Sequence, residues 1–596
     1  MTRPEITNHL TWLYWLTGAL ASVIVLVNLL AALALHYPYL RYDDWNLYAD
    51  YLELGTSGFL LSQYFGHALT LPKLVFLGNF ALFPGTSVPT LIVSISLKTL
   101  TALVLVFMLW RFRGTQASTA ASVAACALIV GMVFWMCTHL ELTWPLMVGN
   151  PFVIAFAAIA AWALCRHLQT TTVAAPGLFD RWLGLAAMAG VLGVFSFGAG
   201  IAIWPGVATV MVLYRVSWPR IAFFLSLGLA AIVLHSLMPS QRISLEFSQI
   251  LELIPSPGQA LNFFFTFLGT AINFSLFPFD GTRTGMPRLT AAAGFGGLLI
   301  LAIYSWRLFR APRAPHPVLA IPLVLTWFAV FAAMLSTIGR AGSEMFGNPN
   351  DYRYAGWSAA FWTGLLWLAL YHLLRNHGRT SASYILAGIA TVVLTVFLLA
   401  SVRGIDHLLE QQPRHHLGAL AMTIAPEERR RDIRSLTFFA PDQALSLRQT
   451  MIDNRHNIFF EDWTVRLGSP LNEYYQVDPR AACRGRWLEQ EAHRQQQSRV
   501  YKGWATGPRG DFRTVLLVAN GVIIGGGRPA WPGDIREPGN RQPAYLHPWL
   551  YFPAMLFGHT PAWLAMADLT DLDENVRINV FGVLRDNTVC QIKPPQ

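Results

Sequence analysis

Residues 12–45 read WLYWLTGALASVIVLVNLLAALALHYPYLRYDDW: a run to residue 36 without Asp, Glu, Lys or Arg, then a turn and two adjacent carboxylates, Asp43 and Asp44. At about 1.5 Å per residue such a run covers a hydrocarbon core roughly 30 Å thick. No small-residue cleavage site follows it, so it reads as a retained span rather than a leader peptide. Acids at a membrane edge are costly without partners; they sit in water, on a cation or at a reactive centre. The chain has only 33 Asp+Glu in 596 residues, which makes an adjacent pair there informative.

The rest of the chain repeats the first pattern. It is 54% hydrophobic and 13% charged, with a mean hydropathy of +0.42. These values exclude an ordinary soluble globule and indicate a mainly α polytopic membrane protein. The net charge of +10 does not call for nucleic acid, because basic residues in such a chain first report topology. Apolar spans recur at 12–36, 87–110, 119–138, 147–167, 182–197, 200–215, 220–238, 289–309, 317–338, 355–374 and 383–402, about eleven crossings. Arg3, Arg111, Arg113, Arg166, Arg181, Arg215, Arg220, Arg307, Arg310, Arg313, Arg375 and Arg379 mark alternate connections, which the positive-inside rule puts in the cytoplasm. The N-terminus is then inside and everything after 402 outside. Two further apolar stretches, 68–84 and 259–279, are expected not to cross: the first lies along the outer interface, and prolines bound the second.

Three domains are expected: a transmembrane domain over 1–403, a helical and irregular linker over 404–500, and a β-rich domain over 501–596. In the linker, Pro426-Glu427-Glu428-Arg429-Arg430-Arg431 reads as a solvated helix start. Further on, Thr514 to Val518 and Val522 to Gly525 are joined through Asn520-Gly521, a hairpin signal. Val576 to Leu584 is another strand, and a small β-sandwich is expected. Such a module either binds glycans or partners, or passively caps the outer face. Cys483 and Cys590 either pair, given an extracytoplasmic module, or are two free thiols.

The outer loops hold the polar residues that remain unexplained. Asp43 or Asp44 is a candidate general base, or else the cap of a helix over Trp45–Leu54. His67 either contacts substrate or is structural, and Lys73 either meets a lipid phosphate or snorkels to headgroups. Arg340 and Arg353 flank a Gly/Asn/Asp-rich loop ending in Tyr354; they suit bidentate grip of a phosphate, or pair internally with Glu344, Asp351 or the Asp43-Asp44 pair. Arg242 and Arg283 are weaker candidates of the same kind. Glu141 and Trp144 line a sugar subsite, or Trp144 belongs to an interfacial belt. Phe197-Gly198-Ala199-Gly200 with Trp204-Pro205 is a tight outer hairpin or a substrate-lining turn. No Walker loop, dinucleotide fingerprint, HExxH or Cys/His metal pattern is present in the sequence.

A first span followed by an outer loop with an Asp pair and then a surface helix resembles the integral-membrane glycosyltransferases of the GT-C superfamily. The resemblance extends to Gly66-His67 before Leu71-Pro72-Lys73-Leu74, to Phe197-Gly198-Ala199-Gly200 with Trp204-Pro205, and to Gly339-Arg340 with Arg353-Tyr354. It covers about residues 10–400 and resembles poorly characterised bacterial members most. It implies an inner-membrane enzyme that moves one sugar, with inversion, from a polyprenyl-phosphate carrier to a glycan, lipid or protein acceptor outside the cytoplasm. Asp43 or Asp44 would be the base, and Arg340, Arg353 and Lys73 would hold the carrier phosphate. Members differ in whether they need a divalent cation. The competing classes are a transporter or flippase of lipid-linked glycans, a glycan polymerase or ligase, and a non-catalytic scaffold. Of the first, the spans show little sign beyond Lys98, since they are nearly free of acids and carry no repeat.

Overall fold

A computed structural model describes residues 3–35, 39–83, 87–115, 117–170, 180–240, 256–276, 287–312, 315–340, 348–376, 380–437, 441–489, 497–506, 512–529 and 562–592, apart from 571, 574, 575 and 585. The helices are α1 (Arg3–Leu35), α2 (Asp44–Leu61), α3 (Thr70–Leu82), α4 (Val88–Arg111), α5 (Thr119–Val133), α6 (Gly149–Thr170), α7 (Arg181–Val194) and α8 (Ile203–Leu213). They continue with α9 (Trp218–Ser236), α10 (Pro257–Leu276), α11 (Pro287–Arg310), α12 (Ala320–Arg340), α13 (Ala355–Arg375) and α14 (Thr380–Ile424).

Among the described residues, 9 helices are long and apolar enough to cross a membrane. Each overlaps one of the eleven expected spans. The two exceptions, 182–197 and 200–215, are shorter helices, Arg181–Val194 and Gly198–Leu213. The break has a backbone cause: Phe197 is extended, and a side chain on Gly200 would collide with the carbonyl of Gly193, so two short helices turn back on each other. The stretch at 68–84 gives the 13-residue α3. The described part of that at 259–279 lies in α10, 20 residues long, which is buried mainly over its C-terminal half and bonds to α13 through Ser358 Oγ to Leu268 O (2.6 Å) and Trp362 Nε1 to Leu268 O (2.9 Å).

The chain divides into two compact units. One comprises 1–29, 54–75 and 90–404; the other comprises 30–53, 76–89 and 405–596. The first is a helical bundle whose interior is rich in alanine, with Trp204, Trp367, Phe328 and Phe361 filling the wider gaps. Small residues allow helices to approach where no hydrophobic drive exists between lipid-facing surfaces. The second unit holds the loop with Asp43 and Asp44 as well as the C-terminal residues. Here α14 runs on to Ile424 rather than ending near 402. The segment expected to start a helix at Pro426 is a turn after α14 that leads into a single helical turn, Arg430–Ile433, with Arg429 buried against Ser498 (2.8 Å).

Seven strands follow: β1 (Gln476–Glu489), β2 (Ser498–Thr506), β3 (Phe512–Ala519), β4 (Val522–Pro529), β5 (Ala562–Asp568), β6 (Ile578–Leu584) and β7 (Thr588–Ile592). They lie in the order β1-β2-β5-β4-β3-β6-β7. This is one curled sheet instead of the two sheets of a sandwich. Its lateral strands β1 and β7 pair in parallel, which satisfies both edges. Asn520 and Gly521 take φ of 51° and 79°, as a two-residue hairpin between β3 and β4 requires.

Cys483 on β1 and Cys590 on β7 form a disulfide across that closure, 107 residues apart in sequence. A loop of this length removes much freedom from the unfolded chain, so losing the bond typically costs about 2–5 kcal/mol. Reduction of the whole protein, or Cys483→Ala, is therefore expected to shift proteolysis of the 476–592 region to lower urea; an unchanged midpoint would show the bond adds nothing.

Candidate functional site

In the helical unit, the turn Tyr64-Phe65-Gly66-His67 is closed by two backbone bonds, Tyr64 N to His67 O (2.8 Å) and His67 N to Tyr64 O (2.9 Å). Phe65 and Gly66 take φ of 47° and 75°, the mirror-image turn in which glycine at the second position carries no strain. The turn presents the His67 imidazole against Phe197, stacked at 4.5 Å. Gly198 makes this possible, because a Cβ there would collide with His67 Nδ1.

Arg340 ends α12 and Tyr354 precedes α13. The Arg340 guanidinium lies 6.0 Å from the Tyr354 ring centre, and its charge acts on the buried Tyr354 hydroxyl. Burial, and then the charges of Arg340 and His235, push the His67 pKa down to about 3. The imidazole is therefore neutral at physiological pH and offers one donor and one acceptor nitrogen. Both nitrogens are enclosed and have no hydrogen-bond partner among the described residues. Phe197 leads on to Trp357 (6.1 Å), giving the cluster an aromatic wall. A permanent cation beside an uncharged imidazole is a setting for an anion with further oxygens to bond.

Two consequences are measurable. Gly198→Ala forces His67 off Phe197 and should destabilise the protein by about 1–3 kcal/mol, as overpacking does; a thermal midpoint equal to wild type would contradict the contact. His67 is neutral when folded but titrates near its ordinary value when unfolded. A depressed folded pKa gives stability that is present above about pH 6.5 and is lost as pH falls towards 3. His67→Gln should flatten that decline in thermal midpoints between pH 7 and 4.

The structure distributes the other expected residues unevenly. Arg353 pairs with Asp351 at 2.5 Å, and Asp351 also caps the Arg353 N–H (3.0 Å), the internal pairing that was one of its two readings. Lys73 is enclosed, and its ammonium bonds Phe59 O (2.7 Å), Ser62 O (2.9 Å) and Ser62 Oγ (2.9 Å) at the end of α2. Neither arrangement is the exposed phosphate clamp the sequence allows. Glu141 and Trp144 are buried, 3% exposed each, and are not on a loop surface. The reason is local: 136–148 is a string of short helical turns folded into the bundle. Arg242, Arg283 and Glu344 lie outside the described residues.

Asp43 and Asp44 belong to the other unit and differ from each other. Asp44 is fully buried: its carboxylate accepts from Arg41 N (3.2 Å) while its own N–H donates to Arg41 O (3.0 Å). That reciprocal clip fixes the turn in which Tyr42 takes φ of 52°. Asp43 is half-buried, and its carbonyl takes the first helical bond from Leu47 N (3.0 Å). So Asp44, the first residue of α2, closes the turn that precedes the helix, and Asp43 is the half-buried member of the pair. The same turn bonds Tyr42 N to Leu436 O (2.6 Å) and sets Tyr42 edge-on to His415 at 5.9 Å. One turn on, Tyr48 Oη meets His456 Nδ1 at 2.8 Å, on a loop where Arg455 and Asn457 take φ of 51° and 57°. The polar segment after 404 thus surrounds the Asp loop, which sequence reading did not anticipate.

Sequence reading also missed the pairing of Lys98 with Glu141. Lys98 Nζ is 2.5 Å from Glu141 Oε2 and bonds Thr138 Oγ1 (2.9 Å) and Val133 O (3.2 Å). A lysine inside an apolar span was the signal, and its acid lay in a segment assigned to the outer surface. No group of three or more His, Cys, Asp or Glu is placed to hold a metal ion among the described residues. The chain matches no protein-family model, no curated protein and no solved structure.

Proposed function

We propose that the protein is a membrane glycosyltransferase that moves a single sugar from a polyprenyl-phosphate carrier to an acceptor outside the cytoplasm. The observation that carries this reading is the gathering of His67, Arg340 and Tyr354, nominated from segments far apart in sequence, into one cationic cluster with an aromatic wall. Guanidinium and a neutral imidazole suit a phosphate monoester or diester and its lipid. In the reaction, Asp43 takes the acceptor O–H proton as the acceptor oxygen attacks the anomeric carbon. The bond from that carbon to the carrier oxygen breaks, and the phosphate leaves with the electron pair. Arg340 stabilises the charge that grows on the phosphate, where electrostatic help counts most. Asp44 holds the loop. The positive-inside pattern and the Cys483–Cys590 bond support a bacterial inner-membrane protein with a cytoplasmic N-terminus and a periplasmic C-terminal module, since such bonds persist in oxidising compartments.

A transporter or flippase is the second reading, and the Lys98–Glu141 pair inside the apolar bundle favours it. Proteoliposomes loaded with a polyprenyl-phosphate-linked sugar and an acceptor glycan separate the two. Transfer of one sugar with release of polyprenyl phosphate supports the enzyme. Movement of intact carrier across the bilayer without bond cleavage supports the transporter, and a lengthening product indicates a polymerase.

A further inference from the structure

Lys98 lies ten residues into α4, about 15 Å along its axis and so near the middle of a span. Its ion pair with Glu141 borders a cavity of about 30 Å³, lined also by Thr101, Thr363, Met132 and Ala360. Each polar group on the wall has a countable set of bonds. The Lys98 ammonium faces Val133 O, Thr138 Oγ1 and Glu141 Oε2, which matches its three hydrogens. Thr101 Oγ1 donates to Leu97 O (3.0 Å) and Thr363 Oγ1 to Ala359 O (2.7 Å), so each hydroxyl has only lone pairs left. Glu141 Oε1 accepts no hydrogen bond among the described residues, although the residue is 3% exposed. It packs at the start of α13, where Gly356 has no Cβ to exclude it and the helix dipole favours a negative charge.

The cavity therefore offers acceptors only: a carboxylate oxygen and two hydroxyl oxygens. An occupant must donate at least two hydrogens, be small and carry no positive charge beside Lys98. Water satisfies all three conditions, and the volume exceeds the roughly 10–15 Å³ one water needs. An empty cavity would leave a buried carboxylate oxygen unsatisfied, at a cost of about 1–3 kcal/mol or more.

We propose that this cavity is a hydration site within the bundle, in which two bound waters between them donate to Glu141 Oε1 and to the Thr101 and Thr363 hydroxyl oxygens, a volume of about 30 Å³ having room for two. The site is independent of the reading of the protein as a glycosyltransferase. Radiolytic hydroxyl-radical footprinting of the intact protein tests it, because radicals form in place from bound water. Met132 lines the cavity, whereas Met211 is buried in the same bundle away from it. Met132 should be oxidised several-fold faster than Met211; equal protection of the two would overturn the proposal. Ala360→Val gives a second readout, since its added methyls enter the cavity. With water present the substitution expels it, so Met132 oxidation falls to the Met211 rate and the thermal midpoint drops. A dry cavity would be filled instead, giving an unchanged or higher midpoint and no change at Met132.

Discussion

Asp43→Asn is expected to leave a folded, inserted protein that has lost sugar transfer by a factor of about 10²–10⁴, the usual worth of a general base. The substitution keeps shape and removes the charge that accepts the proton. The adjacent Asp44→Asn should behave differently. Asp44 is fully buried and bonds Arg41 N, so its loss loosens the turn before α2 and lowers yield and thermal midpoint along with activity. The comparison is read as activity per folded molecule. Equal activity of Asp43→Asn and wild type would remove Asp43 as the base. Loss confined to Asp44→Asn, with its stability intact, would move that role one residue along.

The second large effect is on stability. Lys98→Met removes the cation from a buried pair and leaves the Glu141 carboxylate in the interior, at about 3–5 kcal/mol. Lys98→Met with Glu141→Gln removes both charges and should recover most of the loss, because burying an uncompensated charge is the dominant penalty. Thermal unfolding in detergent checks the order: wild type and double variant close together, the single variant well below. A single variant as stable as wild type would show that the carboxylate has water or another partner in place of Lys98.

Much of the helical architecture was legible because hydropathy over about 20 residues needs no knowledge of neighbours. The Asn520-Gly521 hairpin was legible for a similar reason, since positive φ at both positions is local chemistry. Closure was not. Whether strands form two sheets or one depends on β1 meeting β7 more than a hundred residues later, which no local pattern encodes. The site followed the same rule. A structural task for the Asp pair at the start of a helix could be read from its position, and pairing of Arg353 with Asp351 from their spacing, whereas the partners of Lys73 came from packing. Glu141 was assigned to the surface because it follows an apolar span. Its burial depends on Lys98, 43 residues earlier, and on the missing side chain of Gly356. His67 was nominated with a structural role as the alternative; Gly198, Phe197 and Arg340 now define its surroundings.

The cluster around Arg340 and His67 is proposed to hold a lipid phosphate. Mass spectrometry of the lipid that co-purifies with the wild-type protein and with Arg340→Ala tests it most directly. A polyprenyl phosphate or its sugar adduct should accompany the wild type and be lost from the variant. Bulk phospholipid alone in both, or a polyprenyl phosphate retained equally by Arg340→Ala, would contradict the account.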